Sequence, residues 1–137
     1  MSKTRAIALW VLQVLLTFPF LAASISKLTS SPGWVARFRG YGYPEKFYLL
    51  IGAIELLGAL ALLTPRLAAY GATVLIAVMM GATVTHLRHS EAPRAVVTLA
   101  LVVLLAIVAY ARRPGSVRRK GQSDARGSEG LPPASQF

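Results

Sequence analysis

Residues 47–63 read FYLLIGAIELLGALALL, an unbroken apolar run with one carboxylate, Glu55, in its middle. A helix of about 17 residues covers most of a bilayer core of roughly 30 Å at 1.5 Å per residue. A carboxylate at that depth costs about 2.5–3.5 kcal/mol on insertion scales. Glu55 therefore needs a partner, a proton or a purpose. Gly52 and Ala59 share its helical face, with Gly58 beside them, and small residues let a neighbouring helix approach closely.

Three further apolar runs surround this one. Residues 6–25 are closed by Lys27, residues 67–87 by Arg88 and His89, and residues 95–111 by Arg112-Arg113-Pro114. The run at 47–63 stops at Thr64-Pro65-Arg66. Each is long enough to span, and backbone amides in hydrocarbon are satisfied only by helices in an open chain. The expectation is an all-α fold: a four-helix transmembrane bundle over residues 1–111, followed by a basic, disordered cytoplasmic tail at 112–137. Met1-Ser2-Lys3-Thr4-Arg5 resembles the start of a signal peptide, but the first apolar run exceeds a signal-peptide core, so it is read as a retained span.

Composition agrees. The 137 residues are 55% hydrophobic, above the soluble norm of roughly 45–50%, with a net charge of +10. The cations lie in the gaps between apolar runs and in the tail, which is the pattern of headgroup contact and topology rather than nucleic acid binding. The N-terminus, the Arg66 turn and the tail hold nine of the 15 Lys and Arg residues, so both termini are expected on the cytoplasmic side of the cell (cytoplasmic or inner) membrane. The chain has no cysteine, which removes disulfides, thiol redox chemistry and iron–sulfur ligation. No metal-ligand spacing is present, and no metal is expected.

The long connection, residues 28–46, interleaves Trp34, Phe38, Tyr41 and Tyr43 with Arg37, Arg39 and Lys46. Aromatic rings with basic stems favour the headgroup zone. It is read as a loop on the membrane surface with one helical turn near 33–38; a lid over the bundle mouth is the alternative.

Polar stripes mark the faces that turn inward. Gln13, Thr17, Phe20, Ser24 and Lys27 recur at helical spacing, as do Met79, Thr83 and His86. Pro19, inside the first span, predicts a kink. The fourth span offers only Thr98 and Tyr110, and reads as a lipid-facing packing helix. Convergence of the stripes would place Glu55 near Gln13, Thr17, Ser24 and Thr83, with Lys27 and His86 closer to one membrane face. Two readings stay open. Glu55 is either part of an interior ligand or proton site, or a neutral carboxyl joining helices; Lys27 and His86 are either members of that site or residues at the interface. No nucleophile–base set or phosphate-binding loop is present, so no catalytic residue is assigned and the balance is against an enzyme.

Four segments in order, Ser24-Ile25-Ser26-Lys27-Leu28, Gly42-Tyr43-Pro44, Ile51 to Ala59, and Gly81 to Arg88, resemble the DoxX-like family over roughly residues 5–111. The resemblance implies a small four-helix membrane bundle whose recurrent Lys, Glu and His fall on Lys27, Glu55 and His86. The family pattern commonly has Gly where Ser24 stands. Members include a subunit of a thiosulfate–quinone oxidoreductase, partners of redox enzymes and receptor-assembly chaperones. The functional expectation is an accessory or binding subunit in the lipid bilayer, with a bound quinone or lipid and with a membrane or redox protein, or a second copy, as partner. The alternatives are a quinone-linked oxidoreductase subunit acting with a redox partner, and a small proton-coupled transporter. No resident cofactor is expected.

Overall fold

The computed structural model describes residues 2–114, and the expectation of a disordered tail falls, for residues 115–137, outside them. Five helices follow one another: α1 (Lys3–Leu28), α2 (Pro32–Gly40), α3 (Phe47–Leu62), α4 (Ala68–Arg88) and α5 (Ala92–Ala111). No strand occurs among the described residues. Three of the helices, α1, α4 and α5, are long and apolar enough to cross a membrane; α3 is apolar but has 16 residues.

Local chemistry sets the boundaries. The Ser2 hydroxyl accepts from the Arg5 amide and caps α1. Pro32 and Pro93 sit in the first turns of α2 and α5, where a missing N–H costs nothing. Helix α5 therefore starts at Ala92, before the expected 95. Helix α1 runs through Pro19 and on to Leu28, three residues beyond the expected end, which brings Lys27 inside the helix.

The four long helices form a ring in which α1 meets α3, α3 meets α4, α4 meets α5, and α5 returns to α1. One end of this ring is closed. There Ala59, Leu62, Ala68, Ala72, Leu75 and Leu105 are wholly buried. A Cβ on Gly58 would stand 2.7 Å from Leu75 Cγ, and one on Gly71 would stand 2.8 Å from the Gly58 carbonyl oxygen. Gly58 leaves room for the Leu75 side chain, and Gly71 lets α4 rest on the backbone of α3. Gln13 completes the closure. Its amide donates to the Leu62 carbonyl at 2.7 Å, one of the last-turn acceptors a helix leaves unpaired, and its oxygen accepts from Arg112 Nε at 2.9 Å. Arg112 is thus part of the bundle and not the start of a free tail.

At the other end the helices leave space between them, and α2 lies across it. The expected surface loop is in fact a helix of 9 residues with Phe38 buried. Phe38 is in contact with Trp34, Tyr41, Tyr43, Phe47 and Tyr48, all with ring centroids within 6.3 Å. The aromatic side chains that suggested headgroup contact pack on one another, because α2 turns them toward the bundle and leaves Arg39 and Gly40 outside.

Gly71→Ala should lower stability by about 1–3 kcal/mol, because the obstructing atoms, the Ala61 Cβ and the Gly58 carbonyl oxygen, are held by the helix backbone and cannot yield. Gly81, whose Cβ would meet nothing within 4 Å, should tolerate Ala with no loss. Thermal unfolding of both variants in detergent checks the contrast.

Candidate functional site

Lys27 and Glu55 meet directly. The Lys27 ammonium donates to both carboxylate oxygens, at 3.0 and 2.9 Å, with both side chains almost fully buried. The sequence reading of Lys27 as an interfacial stop residue does not fit this geometry. Near the end of α1 it turns inward because a carboxylate awaits it there, and α1 approaches α3 closely enough for contact. Gly52, one turn before Glu55, makes that approach: a Cβ on it would lie 2.9 Å from Lys27 Cβ and 3.3 Å from the Ser24 carbonyl oxygen. Ser24 is fully buried at the same seam, its hydroxyl turned back onto the Leu21 carbonyl at 2.9 Å.

The ion pair is also tied to α2. Lys27 Nζ lies 4.0 Å from the Trp34 ring centroid, a cation–π contact in a dry setting. The far end of α2 is held separately. Tyr41 donates to both oxygens of Glu91, at 3.2 and 3.1 Å, and His86 Nδ1 lies 2.9 Å from the same carboxylate. Arg94 Nε stands 3.6 Å from it. Tyr43 and Thr85 share a hydrogen bond between hydroxyls. Burial pushes the Tyr41 phenol up, and the Glu91 hydrogen bond and charge add to this, so it remains a donor. Burial also pushes the Glu91 carboxyl up, but the hydrogen bonds from His86 and Tyr41 and the charges of His86 and Arg94 outweigh it and hold Glu91 below the usual carboxylate range.

Beneath α2, between the four long helices, is a cavity of about 610 Å³. Its wall is mostly apolar, with Phe20, Ile51, Ile54, Val78 and Leu101 among the lining residues. Lys27, Glu55 and His86 stand in it as well. Pro19, Val74, Ala77 and Gly81 line it while remaining exposed, and all four lie well inside their helices, so the cavity opens sideways as well as toward α2. A smaller cavity of about 310 Å³ borders it, and His86 and Thr98 stand in both walls.

Of the seven residues singled out in the sequence, Lys27, Glu55 and His86 share this wall. The other four do not. Gln13 lies at the closed end on Leu62 and Arg112. The Thr17 hydroxyl bonds the Gln13 carbonyl at 2.7 Å. Ser24 lies at the α1–α3 seam, and Thr83 bonds the Met79 carbonyl at 2.8 Å and Thr98 at 2.7 Å. Helical periodicity placed all of them on inward faces, but a 26-residue helix is far longer than one site, so depth separates them. The sequence reading missed Trp34, Glu91 and Thr98 as site neighbours. Thr98 was visible as the polar residue of an apolar span; nothing in the local pattern pointed to Glu91.

The sequence pattern of the DoxX-like family matches residues 11–109. Among curated proteins, one from Bacillus subtilis (strain 168), named "Uncharacterized protein YdgD", is 32% identical over 101 residues, covering 72% of this chain and 87% of that protein. No solved structure matches.

Lys27→Met, which strands the buried Glu55 carboxylate, should cost about 3–5 kcal/mol of stability. Adding Glu55→Gln removes the stranded charge and should recover more than half of that loss in detergent melting. The Glu91 contacts carry a pH signature. Because the folded state lowers the Glu91 pKa, their stabilisation is complete above the ordinary value of 4.5 and is lost as pH falls through the lowered value. Near-ultraviolet circular dichroism of the aromatic cluster should hold constant from neutral pH down to about that value and weaken below it. Glu91→Gln should weaken the signal at neutral pH and flatten the acid limb.

Proposed function

The chain belongs to the DoxX-like family, and from that premise we propose that it is a multi-pass accessory subunit of the cell membrane that holds a small apolar or quinone-like molecule beside the Lys27–Glu55 pair. In this reading α1, α3, α4 and α5 are the four spans, and α2 lies over the mouth. The closed end, with Gln13, Arg112, the start of α1 and the end of α5, faces the cytoplasm, as the excess of Lys and Arg on that side directs. Helix α3 is short for a span, and Lys46 and Arg66 on its two sides reach the headgroups as the bilayer thins around it.

One observation carries the reading: a buried ion pair stands in the wall of a cavity that is otherwise apolar and of ligand size. If its only task were to join helices, the pair would sit in a filled core. The closed end shows what such a core looks like here, with no space left for a Cβ on Gly58 or Gly71. The sideways opening between mid-helix residues suits a molecule arriving from the hydrocarbon. A quinone-linked subunit working with a redox partner is the second reading, favoured by the same cavity; the missing redox centre would then reside on the partner.

Trp10 and Trp34 are the chain's two tryptophans, and only Trp34 lines the cavity. In a Trp10→Phe protein in nanodiscs, durohydroquinone or duroquinone should change Trp34 fluorescence saturably. Ala23→Phe or Ala77→Phe, which put a ring into the cavity, should abolish saturation while leaving the melting temperature within a few degrees. Responses to both probes that merely track partitioning into lipid would overturn the proposal.

A further inference from the structure

The carboxylates of the chain are unevenly placed. Glu45, Glu55 and Glu91 stand in the open half, and Asp124 and Glu129 lie outside the described residues. The closed end therefore has no acidic side chain among the described residues, while Lys3, Arg5, Arg66, Arg112 and Arg113 all belong to it. Of these, Arg112 is built into the fold. It lies one position past the end of α5, is half-buried, and donates from Nε to the Gln13 side chain at 2.9 Å. Gln13 is fully buried and held by the Leu62 carbonyl at 2.7 Å, so the guanidinium has a fixed seat. The Trp10 ring lies beside it, 5.7 Å from Arg112 Cζ to the centroid.

Beyond Nε the partners run out. Arg112 Nη2 is buried and has no hydrogen-bond partner, the one side-chain nitrogen or oxygen so placed among the described residues. Lys27, by contrast, has its carboxylate. An N–H withdrawn from water with no acceptor carries an uncompensated desolvation cost. A guanidinium offers paired N–H groups that match a phosphate or carboxylate, so the seat calls for an anion from outside the described helices.

Two sources are at hand. Residues 115–137 bring Asp124 and Glu129, but also Arg118, Arg119, Lys120 and Arg126, so on balance their charge opposes approach to a cationic end. The bilayer is the other source. From Gln13, α1 runs on for about ten residues to Lys3, roughly 15 Å. Ile7 and Val11 are exposed on that stretch, as are Ile107 and Tyr110 near the end of α5. The guanidinium thus sits at a level where apolar side chains still need lipid beside them. An anion that arrives with its own acyl chains meets both needs.

We propose that the corner formed by Arg112, Gln13 and Trp10, between the start of α1 and the end of α5, binds the phosphate of an anionic phospholipid. A zwitterionic headgroup carries the same phosphate but would set its ammonium among Lys3, Arg5 and Arg113 with no carboxylate to receive it. The site is separate from the cavity of the open half and does not depend on what that cavity holds.

The test uses the full-length protein with Trp34→Phe, which leaves Trp10 as its single tryptophan, in phosphatidylcholine nanodiscs. Phosphatidylglycerol or phosphatidylcholine with brominated acyl chains replaces a rising fraction of the lipid, and quenching of Trp10 is read. Brominated phosphatidylglycerol should quench with an apparent affinity at least about tenfold higher, the effect of a charge-assisted hydrogen bond. Equal quenching by the two lipids would overturn the proposal before any change at Arg112. Arg112→Gln, confirmed folded by its melting transition, should bring the ratio toward one, while Arg5→Gln, which removes the same charge from the same side, should leave most of it. An equal fall in both variants would reduce the effect to diffuse attraction and overturn the site. Asp124→Asn with Glu129→Gln should leave the ratio unchanged; a rise would make those carboxylates the occupant of the corner. Excess glycerol 3-phosphate should not relieve the quenching, and relief would make the ligand a soluble phosphate instead of a lipid.

Discussion

A charge in hydrocarbon must be answered by another charge, and the contact between Lys27 and Glu55 is how this bundle meets that demand. Much of the open half follows from it. The pair forces α1 and α3 together, which requires Gly52 and a small residue at Ser24. It holds the inner end of α2 through Trp34. Because Lys27 is recruited into the interior, α1 stays helical past the point where a snorkelling lysine would have ended it. The closed half obeys a different rule. There contact between helices rests on small residues and on a single amide, Gln13, that satisfies a helix-end carbonyl and a guanidinium together.

The two halves divide the labour of the fold. Close packing at one end fixes the relative positions of α3 and α4, so that they can diverge at the other without losing register. Divergence makes the cavity, and the aromatic cluster around Phe38 roofs it. The roof has two anchors of different kinds: a cation–π contact to a buried lysine on one side, and a phenol–carboxylate–imidazole network on the other.

Much of this was legible in the sequence, for reasons particular residues make plain. Hydrophobic runs of spanning length and the Gly–Ala faces announce helices and their packing, because each is a local pattern. Glu55 stood out as a candidate because its cost in lipid is large and local. The association of Lys27, Glu55 and His86 was suggested by the family resemblance, and the structure sets all three in one wall. What the sequence hid was depth and long-range partnership. Gln13 and Ser24 lie on the same stripe of one helix yet belong to opposite ends of the bundle. Tyr41 and Glu91 are joined across 50 positions, and Gln13 and Arg112 across 99, and no periodicity reports such pairs. The aromatic cluster was not legible because rings beside arginines look the same in sequence whether or not they pack on one another.

Lys27 and Glu55 are separated by 28 positions, with all of α2 between them. During synthesis the lysine therefore leaves the ribosome well before its counter-charge exists. Helix α1 is long and apolar enough to cross a membrane, with its lysine near one end. Helix α3 cannot do so cheaply, with a carboxylate at its centre and 16 residues to bury it. In the four-span reading proposed above, the contact with Lys27 would lower that cost, and the first span would serve as an intramolecular insertion partner for the second. The cavity wall is completed only by α4 and α5, so the lysine and the carboxylate are both made well before the space beside them closes.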